Sequence, residues 1–149
     1  MRLSGASLIV PAVWGICLAW QAAPDLPALK SEPNLEKRAE KALDLANASV
    51  TAARQAFEAG ENGKFAAGLE GAKEAVEFAV KSLRDTGKNP SRNSRPFKKA
   101  ELRIREIVKR LAGLAQEVGF EDRAKVTEVK DHLETVGEEL LLDIMGRRQ

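Results

Sequence analysis

Aromatic and thiol side chains are scarce in this chain of 149 residues. Tyrosine is absent, and both tryptophans, Trp14 and Trp20, lie near the N-terminus. Three of the five phenylalanines, Phe57, Phe65 and Phe97, lie on apolar helical faces, so few rings remain on which nucleic-acid bases could stack. The net charge of +2 is also far from the global basicity of nucleic-acid-binding proteins. We therefore expect no nucleic-acid partner.

Cys17 is the only cysteine, and it lies within an apolar run from about Leu8 to Trp20. Arg2 precedes this run and small residues follow it, an arrangement typical of a secretory signal peptide. The run is also shorter than the roughly 20 residues that a membrane-spanning helix needs. We expect residues 1–22 to be a signal peptide, cut near residues 19–23, and the mature chain to be exported to the periplasm or cell envelope without a membrane span. If the signal is not cleaved, it remains as an N-terminal anchor.

Removal of this segment leaves a mature chain without cysteine, and hence without a disulfide, a catalytic thiol or a cysteine-based metal site. A lipid-attached Cys17 is disfavoured because bulky Ile16 precedes it. His132 is the only histidine, and Val129 stands where the Glu-x-x-His signature of di-iron bundles needs a glutamate. A single imidazole with scattered carboxylates is a poor transition-metal site. We expect no metal, no cofactor and no catalytic residue, and hence a protein that is not an enzyme.

Proline is also rare between residues 34 and 146, where only Pro90 and Pro96 occur. Apolar residues recur there every three or four positions, which predicts amphipathic helices. The four predicted helices run from about Asn34 to Ala59, from Asn62 to Thr86, from Pro96 to Val118 and from Glu121 to Met145. Residues 23–33, "APDLPALKSEP", contain three prolines and are predicted to be a linker with no room for a helix. Residues 147–149 are predicted to be a basic tail.

The connections between the predicted helices indicate the architecture. Gly60 and Gly119 mark links of only a few residues, which favour antiparallel neighbours, and the link that follows Gly87 is the longest. We predict an all-α, antiparallel up-down-up-down four-helix bundle of two long helical hairpins, with coiled-coil-like shallow packing angles. Asn62, and Asn93 or Ser94, are the predicted N-terminal caps. Gly68 and Gly71 either let two helices approach closely or are simply tolerated glycines.

Charge is unequal between the last two predicted helices. Residues 95–118 hold seven basic and three acidic residues, whereas residues 121–146 hold eight acidic and three basic ones. Because a tight turn joins these helices, we expect them to lie side by side, with the acids matching part of the basic excess.

The basic excess is strongest over residues 86–111, where the net charge is +7. Lys88, Arg92 and Arg95 precede the third predicted helix, whose free N–H groups favour anions. With Lys98 and Lys99 they form a candidate contact for an acidic envelope polymer or a lipid headgroup. The alternative is an ordinary solvated loop.

Leu102 is an apolar residue on the polar face of the third predicted helix, beside Arg105 and Lys109. Leu142, with Met145 nearby, is its counterpart on the fourth. These five residues are a candidate contact for a protein partner or for a second copy of the chain, although lone exposed apolar residues are normal. The predicted function is that of an interaction or structural module of the cell envelope, and the alternative is an anion-binding protein.

The stretch "SLRDTGKNPSRNSRPFKKAELRIREIVKRL" and the ending "LLLDIMGRRQ" resemble small exported bacterial helical-bundle proteins that have no known activity. The resemblance implies a cell-envelope protein. It implies no activity, cofactor or catalytic residue.

Overall fold

The computed structural model describes residues 25–146. The predicted signal peptide, Cys17 and the predicted basic tail lie outside the described residues. The helices are α1 (Leu26–Leu29), α2 (Leu35–Glu58), α3 (Asn62–Asp85), α4 (Ser94–Glu117) and α5 (Phe120–Ile144). The four long helices pack as two helical hairpins, which confirms the predicted all-α four-helix bundle. None of the helices within residues 25–146 is both long and apolar enough to cross a membrane.

Each long helix buries one apolar face, but the faces differ in the size of their side chains. The buried face of α2 is dominated by small residues such as Ala39, Ala42 and Ala46. The other helices supply most of the large buried side chains, including the rings of Phe65 and Phe97, and α2 adds Leu43. Because alanine faces allow close approach and large side chains fill the centre, the core is largely apolar, and Ser82 and Glu101 are its buried polar residues within residues 25–146.

The helix ends lie at the glycines where the sequence predicted them, but one predicted N-terminal cap is wrong. Gly60 and Gly87 have φ of +71° and +68°, the left-handed conformation that ends a helix. Asn34 caps α2, because its Oδ1 accepts the N–H of Lys37 at 3.0 Å. The cap predicted at Asn62 is wrong, since that residue is the first of α3. Asn93 occupies the N-cap position of α4, without a side-chain capping bond.

The two hairpins lie side by side and point the same way. α2 packs against α3 and α4 against α5, while α2 also lies beside α4 and α3 beside α5. Ion pairs from Glu40 to Lys99 and from Arg54 to Glu117 show that α2 and α4 run parallel. Consecutive α3 and α4 share few contacts, so the link between them crosses the end of the bundle. We call this end, where α2 and α4 begin and α3 and α5 finish, the basal end.

The closest approach of two helices is at Gly68 of α3. A Cβ atom there would lie 2.9 Å from the Cβ of Ala53 and 3.0 Å from its Cα and N atoms. Contacts that short do not occur in real structures, so one helix would have to move. A Cβ at Gly71 would meet Ser49 Oγ at 3.4 Å, an ordinary contact. The close-approach reading therefore holds for Gly68, whereas Gly71 is a tolerated glycine.

The predicted linker contains a helical turn, so the expectation that it had no room for a helix is wrong. Pro27 suits the first turn of α1, and Leu29 is buried in the core. Arg38 of α2 holds the segment that follows, because its Nε donates to the backbone oxygen of Glu32 at 2.9 Å and its Nη2 to that of Lys30 at 3.1 Å. A hydrogen bond from Lys41 lowers the pKa of the Glu32 carboxyl. Residues 29–33 are thus fastened to α2.

Replacing Gly68 with alanine is expected to destabilise the bundle by about 1–3 kcal/mol, because the added methyl group forces α2 and α3 apart. The matched control is Gly113→Ala in α4, where the nearest atom to a new Cβ is the flexible Arg54 Nη2 at 3.9 Å. That control should gain about 0.5–1 kcal/mol from helix propensity. Urea unfolding followed by circular dichroism measures both, and equal stabilities would contradict the close approach.

Candidate functional site

The inner cations of α4 are matched by the acids of α2. Lys99 Nζ lies 2.8 Å from Glu40 Oε1, and Arg103 pairs with Asp44 one turn further along. Arg110 continues the row by donating to the Thr51 hydroxyl at 2.8 Å. Parallel neighbours with four-residue spacing on both sides form such a ladder because their facing side chains stay in register.

We expected the acids of α5 to balance part of the basic charge of α4, and this expectation is wrong because α2 provides the balancing acids. Within residues 25–146 the ion pairs of α4 with other helices all go to α2. The acids of α5 pair within their own helix, as Asp122 does with Lys125, or with α3, as Asp143 does with Arg84. α4 touches both α2 and α5, but within the described residues only the acids of α2 lie within ion-pair distance of its cations.

The five residues of the candidate anion contact differ in whether a carboxylate of α2 already pairs with them. Lys88 Nζ lies 2.6 Å from Glu36 Oε1, and Lys99 is paired with Glu40, so both already have a carboxylate. Arg92, Arg95 and Lys98 are exposed, and the structure shows no ion pair for them with any described residue. The positive charge that stays open is thus shifted from Lys88 towards the first turn of α4.

The turn that carries Arg92 is ordered by Asn89. Its Oδ1 accepts the N–H of Ser91 at 2.9 Å and the Ser91 hydroxyl at 2.7 Å, and the Arg92 N–H is within 3.3 Å. An Asx turn of this kind holds the link in one conformation. Of the three open cations, Arg92 therefore projects from this turn, whereas Arg95 and Lys98 project from the first turns of α4.

The three α4 residues of the candidate partner contact, Leu102, Arg105 and Lys109, share one outer row of α4 with two residues of the candidate anion contact, Arg95 and Lys98. Arg95, Lys98, Leu102, Arg105 and Lys109 recur at steps of three and four residues, and all are exposed. The Leu102 side chain is 60% exposed in the middle of this row. Arg105 pairs at 2.5 Å with Glu101, a carboxylate that is itself buried beside α5. The other cations of the row, Arg95, Lys98 and Lys109, make no ion pair within the described part of the chain.

Exposed large apolar side chains are confined to the second hairpin. Within residues 25–146 they are Leu102, Phe120, Leu141, Leu142 and Met145. Leu142 and Met145 are 46% and 49% exposed, so both predicted α5 contacts face solvent. Phe120 and Leu141 were not predicted. Phe120 lies one position before the predicted start of the fourth helix, so it was not considered as part of a helical face. Leu141 lies between buried Leu140 and exposed Leu142, so it did not stand out against the apolar period.

A groove separates α4 from α5 on the outer side of the second hairpin. Its walls are the apolar side chains of Ile104, Val108, Leu133 and Leu141. Gly137 forms its narrowest point, where a Cβ would lie 3.3 Å from Ile104 Cγ2. Along the rim, Glu101 and Arg105 of α4 face Glu134 and Glu138 of α5. The groove is thus apolar inside and charged outside.

His132 lies on the opposite side of α5, where it contacts α3. Its Nε2 lies 2.6 Å from Glu77 Oε1, with both side chains partly exposed. In the groove beside it, a hydrogen bond to the Glu70 carboxylate raises the pKa of Lys73. No group of three or more histidine, cysteine or acidic residues arranged to hold a metal ion occurs within the described residues. The His132–Glu77 contact joins α5 to α3, whereas the Lys73–Glu70 pair lies within α3.

Neutralising the α2 acids tests which helix balances α4. Glu40→Gln with Asp44→Asn should lower the free energy of unfolding by up to about 1 kcal/mol per pair, because both ion pairs are partly exposed. Glu138→Gln, the control on the α5 edge that faces α4, should change it little. Urea unfolding at low and high salt measures the difference, which should shrink as salt screens the charges. A larger loss in the α5 variant would restore the original prediction.

No protein-family model, curated protein or solved structure matches this chain.

Proposed function

We propose that this protein is an exported, non-enzymatic interaction module of the periplasm or cell envelope that contacts a protein partner through its second hairpin. The observation that carries the proposal is the segregation of exposed large apolar side chains, in residues 25–146, to the second hairpin. Exposed apolar residues that cluster within a polar rim are characteristic of interaction surfaces. The export is supported by the pattern of Arg2, the apolar run and the small residues after it.

Leu102 is the centre of the proposed contact because its surroundings supply both affinity and orientation. Burying a leucine side chain is worth about 1.5–3 kcal/mol, which water-exposed Leu102 does not gain in the free protein. Lys98 and Lys109 flank it one and two turns away and make no ion pair within the described residues. Such charges set the speed and orientation of association more than its affinity.

A second candidate function is the binding of an anionic envelope polymer or lipid headgroup at the basal end. The observation that favours it is the open charge of Arg92, Arg95 and Lys98 beside the ordered Asn89 turn. The first turn of α4 adds free N–H groups near the same cations. This site differs from the Leu102 contact in being wholly polar, so its binding should depend steeply on ionic strength.

Leu102→Glu should abolish the capture of envelope proteins that the unchanged chain retains, because it places a carboxylate where an apolar contact is needed. Ala67→Glu is the matched control, since Ala67 is an exposed apolar residue on α3 of the first hairpin. The measurement is affinity capture from envelope extract with quantitative mass spectrometry, with helix content checked by circular dichroism. Equal capture by both variants would show that the second hairpin is not the contact surface.

Arg92→Ser, Arg95→Ser and Lys98→Ser together should remove the binding of vesicles that contain phosphatidylglycerol. Lys88→Ser with Lys99→Ser is the control, because these lysines are engaged by Glu36 and Glu40 and contribute less open charge. Vesicle co-sedimentation over a range of salt concentrations measures the effect. Vesicle binding that survives the triple substitution would rule out this candidate.

A further inference from the structure

We propose that the partner is a second copy of this chain, bound so that α4 of each copy lies on α5 of the other in a two-fold symmetric dimer. The inference rests on the proposed function, which makes the second hairpin a contact surface. It adds the identity of the occupant. Three properties of the outer α4–α5 face support it: opposite charge on its two edges, a matching register, and an apolar centre.

The two edges of this face carry opposite charge. The α4 edge holds Lys98, Arg105, Lys109 and Glu101, and has a net charge of +2. The α5 edge, which lies across the groove, holds Lys130, Asp131, Glu134 and Glu138, and has a net charge of −2. No ion pair connects these edges within the described chain. A rotation of 180° about an axis parallel to the helices places the basic edge of one copy over the acidic edge of the next.

The register of the helices makes that superposition specific. The close approach of Gly137 to Ile104 shows which levels of α4 and α5 correspond within one copy. A two-fold axis along the helices preserves these levels, so Lys109 lies across from Asp131 of the second copy. Arg105 then lies between Glu134 and Glu138 of the second copy. Each dimer repeats these contacts twice, because a two-fold interface is isologous.

The centre of the face is apolar. Val108 and Leu141 line the groove, Leu102 and Leu142 stand beside it within about one helical turn of each other's level in the dimer, and Met145 closes the basal side. Two helices about 36 Å long and about 10 Å apart present roughly 700 Å² per copy, close to a standard interface. An apolar centre with a charged rim is the common anatomy of protein contacts.

The charges also distinguish a second copy from other occupants. A surface of anionic lipid would attract the α4 edge and repel the acidic α5 edge only a helix away. An acidic helix from an unrelated protein would satisfy α4 and leave α5 unmatched. A second copy satisfies both edges at once, since each copy brings one of each sign.

The test is a charge exchange in the exported chain, purified as the cell processes it. Lys98→Glu with Lys109→Glu makes both edges acidic, and Asp131→Lys with Glu138→Lys makes both edges basic. Analytical ultracentrifugation should show a dimer for the unchanged chain. Each variant alone should dissociate at least about tenfold more readily because like charges face each other. An equimolar mixture of the two variants should restore the dimer, since each acidic edge then meets a basic one.

Circular dichroism and thermal melting of each variant separate loss of association from loss of fold. An unchanged chain that is monomeric throughout the accessible concentration range would overturn the dimer, as would variants that dimerise like the unchanged chain. A monomer that binds phosphatidylglycerol vesicles or captures another protein through Leu102 would also overturn it. Capture of another protein by a monomer would overturn the dimer but leave the proposed function standing, because the comparison of Leu102→Glu with Ala67→Glu reports on any protein partner.

Discussion

The packing of α2 beside α4 determines which charges of this molecule remain open. The buried apolar faces require the two hairpins to lie together, and their parallel alignment brings the acids of α2 opposite the inner cations of α4. That ladder occupies Lys99 and Arg103 and leaves the outer row of α4 to solvent. It also leaves α5 with a surplus of acid that α4 does not neutralise. The polarity of the outer face therefore originates in a contact on the other side of the helix.

The two hairpins differ in the side chains that they bury and expose. The first is built on alanine and on Gly68, whose contact with Ala53 brings two backbones together, and it exposes no large apolar side chain in its described residues. The second carries a groove that Gly137 keeps narrow and Leu141 lines. A rigid first hairpin supports the second, and the proposed contacts lie on helices, where side-chain positions are more precise than on loops.

The sequence predicted the helices well because the three- and four-residue period of apolar residues is a property of each helix alone. It also predicted the exposure of Leu102, since that residue lies outside its stripe. The tight turn between α4 and α5 predicted that these two helices lie side by side, as they do. The contact of α4 with α2 was not predictable, because a stripe shows which face is buried but not which helix covers it. The α1 turn was missed because three nearby prolines suggested an open linker. It is held by burial of Leu29 in the core and by hydrogen bonds from Arg38 to backbone carbonyls, which are contacts with residues outside the linker.

The fastening of residues 29–33 to α2 has a mechanical consequence. Asp25, the first described residue, precedes α2 at the basal end. Gly146, the last described residue, lies at the same end, close to Ser91 of the link. A force applied at residue 25 would reach α2 through buried Leu29 and the guanidinium of Arg38. Drawing residues 25 and 146 apart would separate the helices one after another from the basal end, rather than shear them along their lengths.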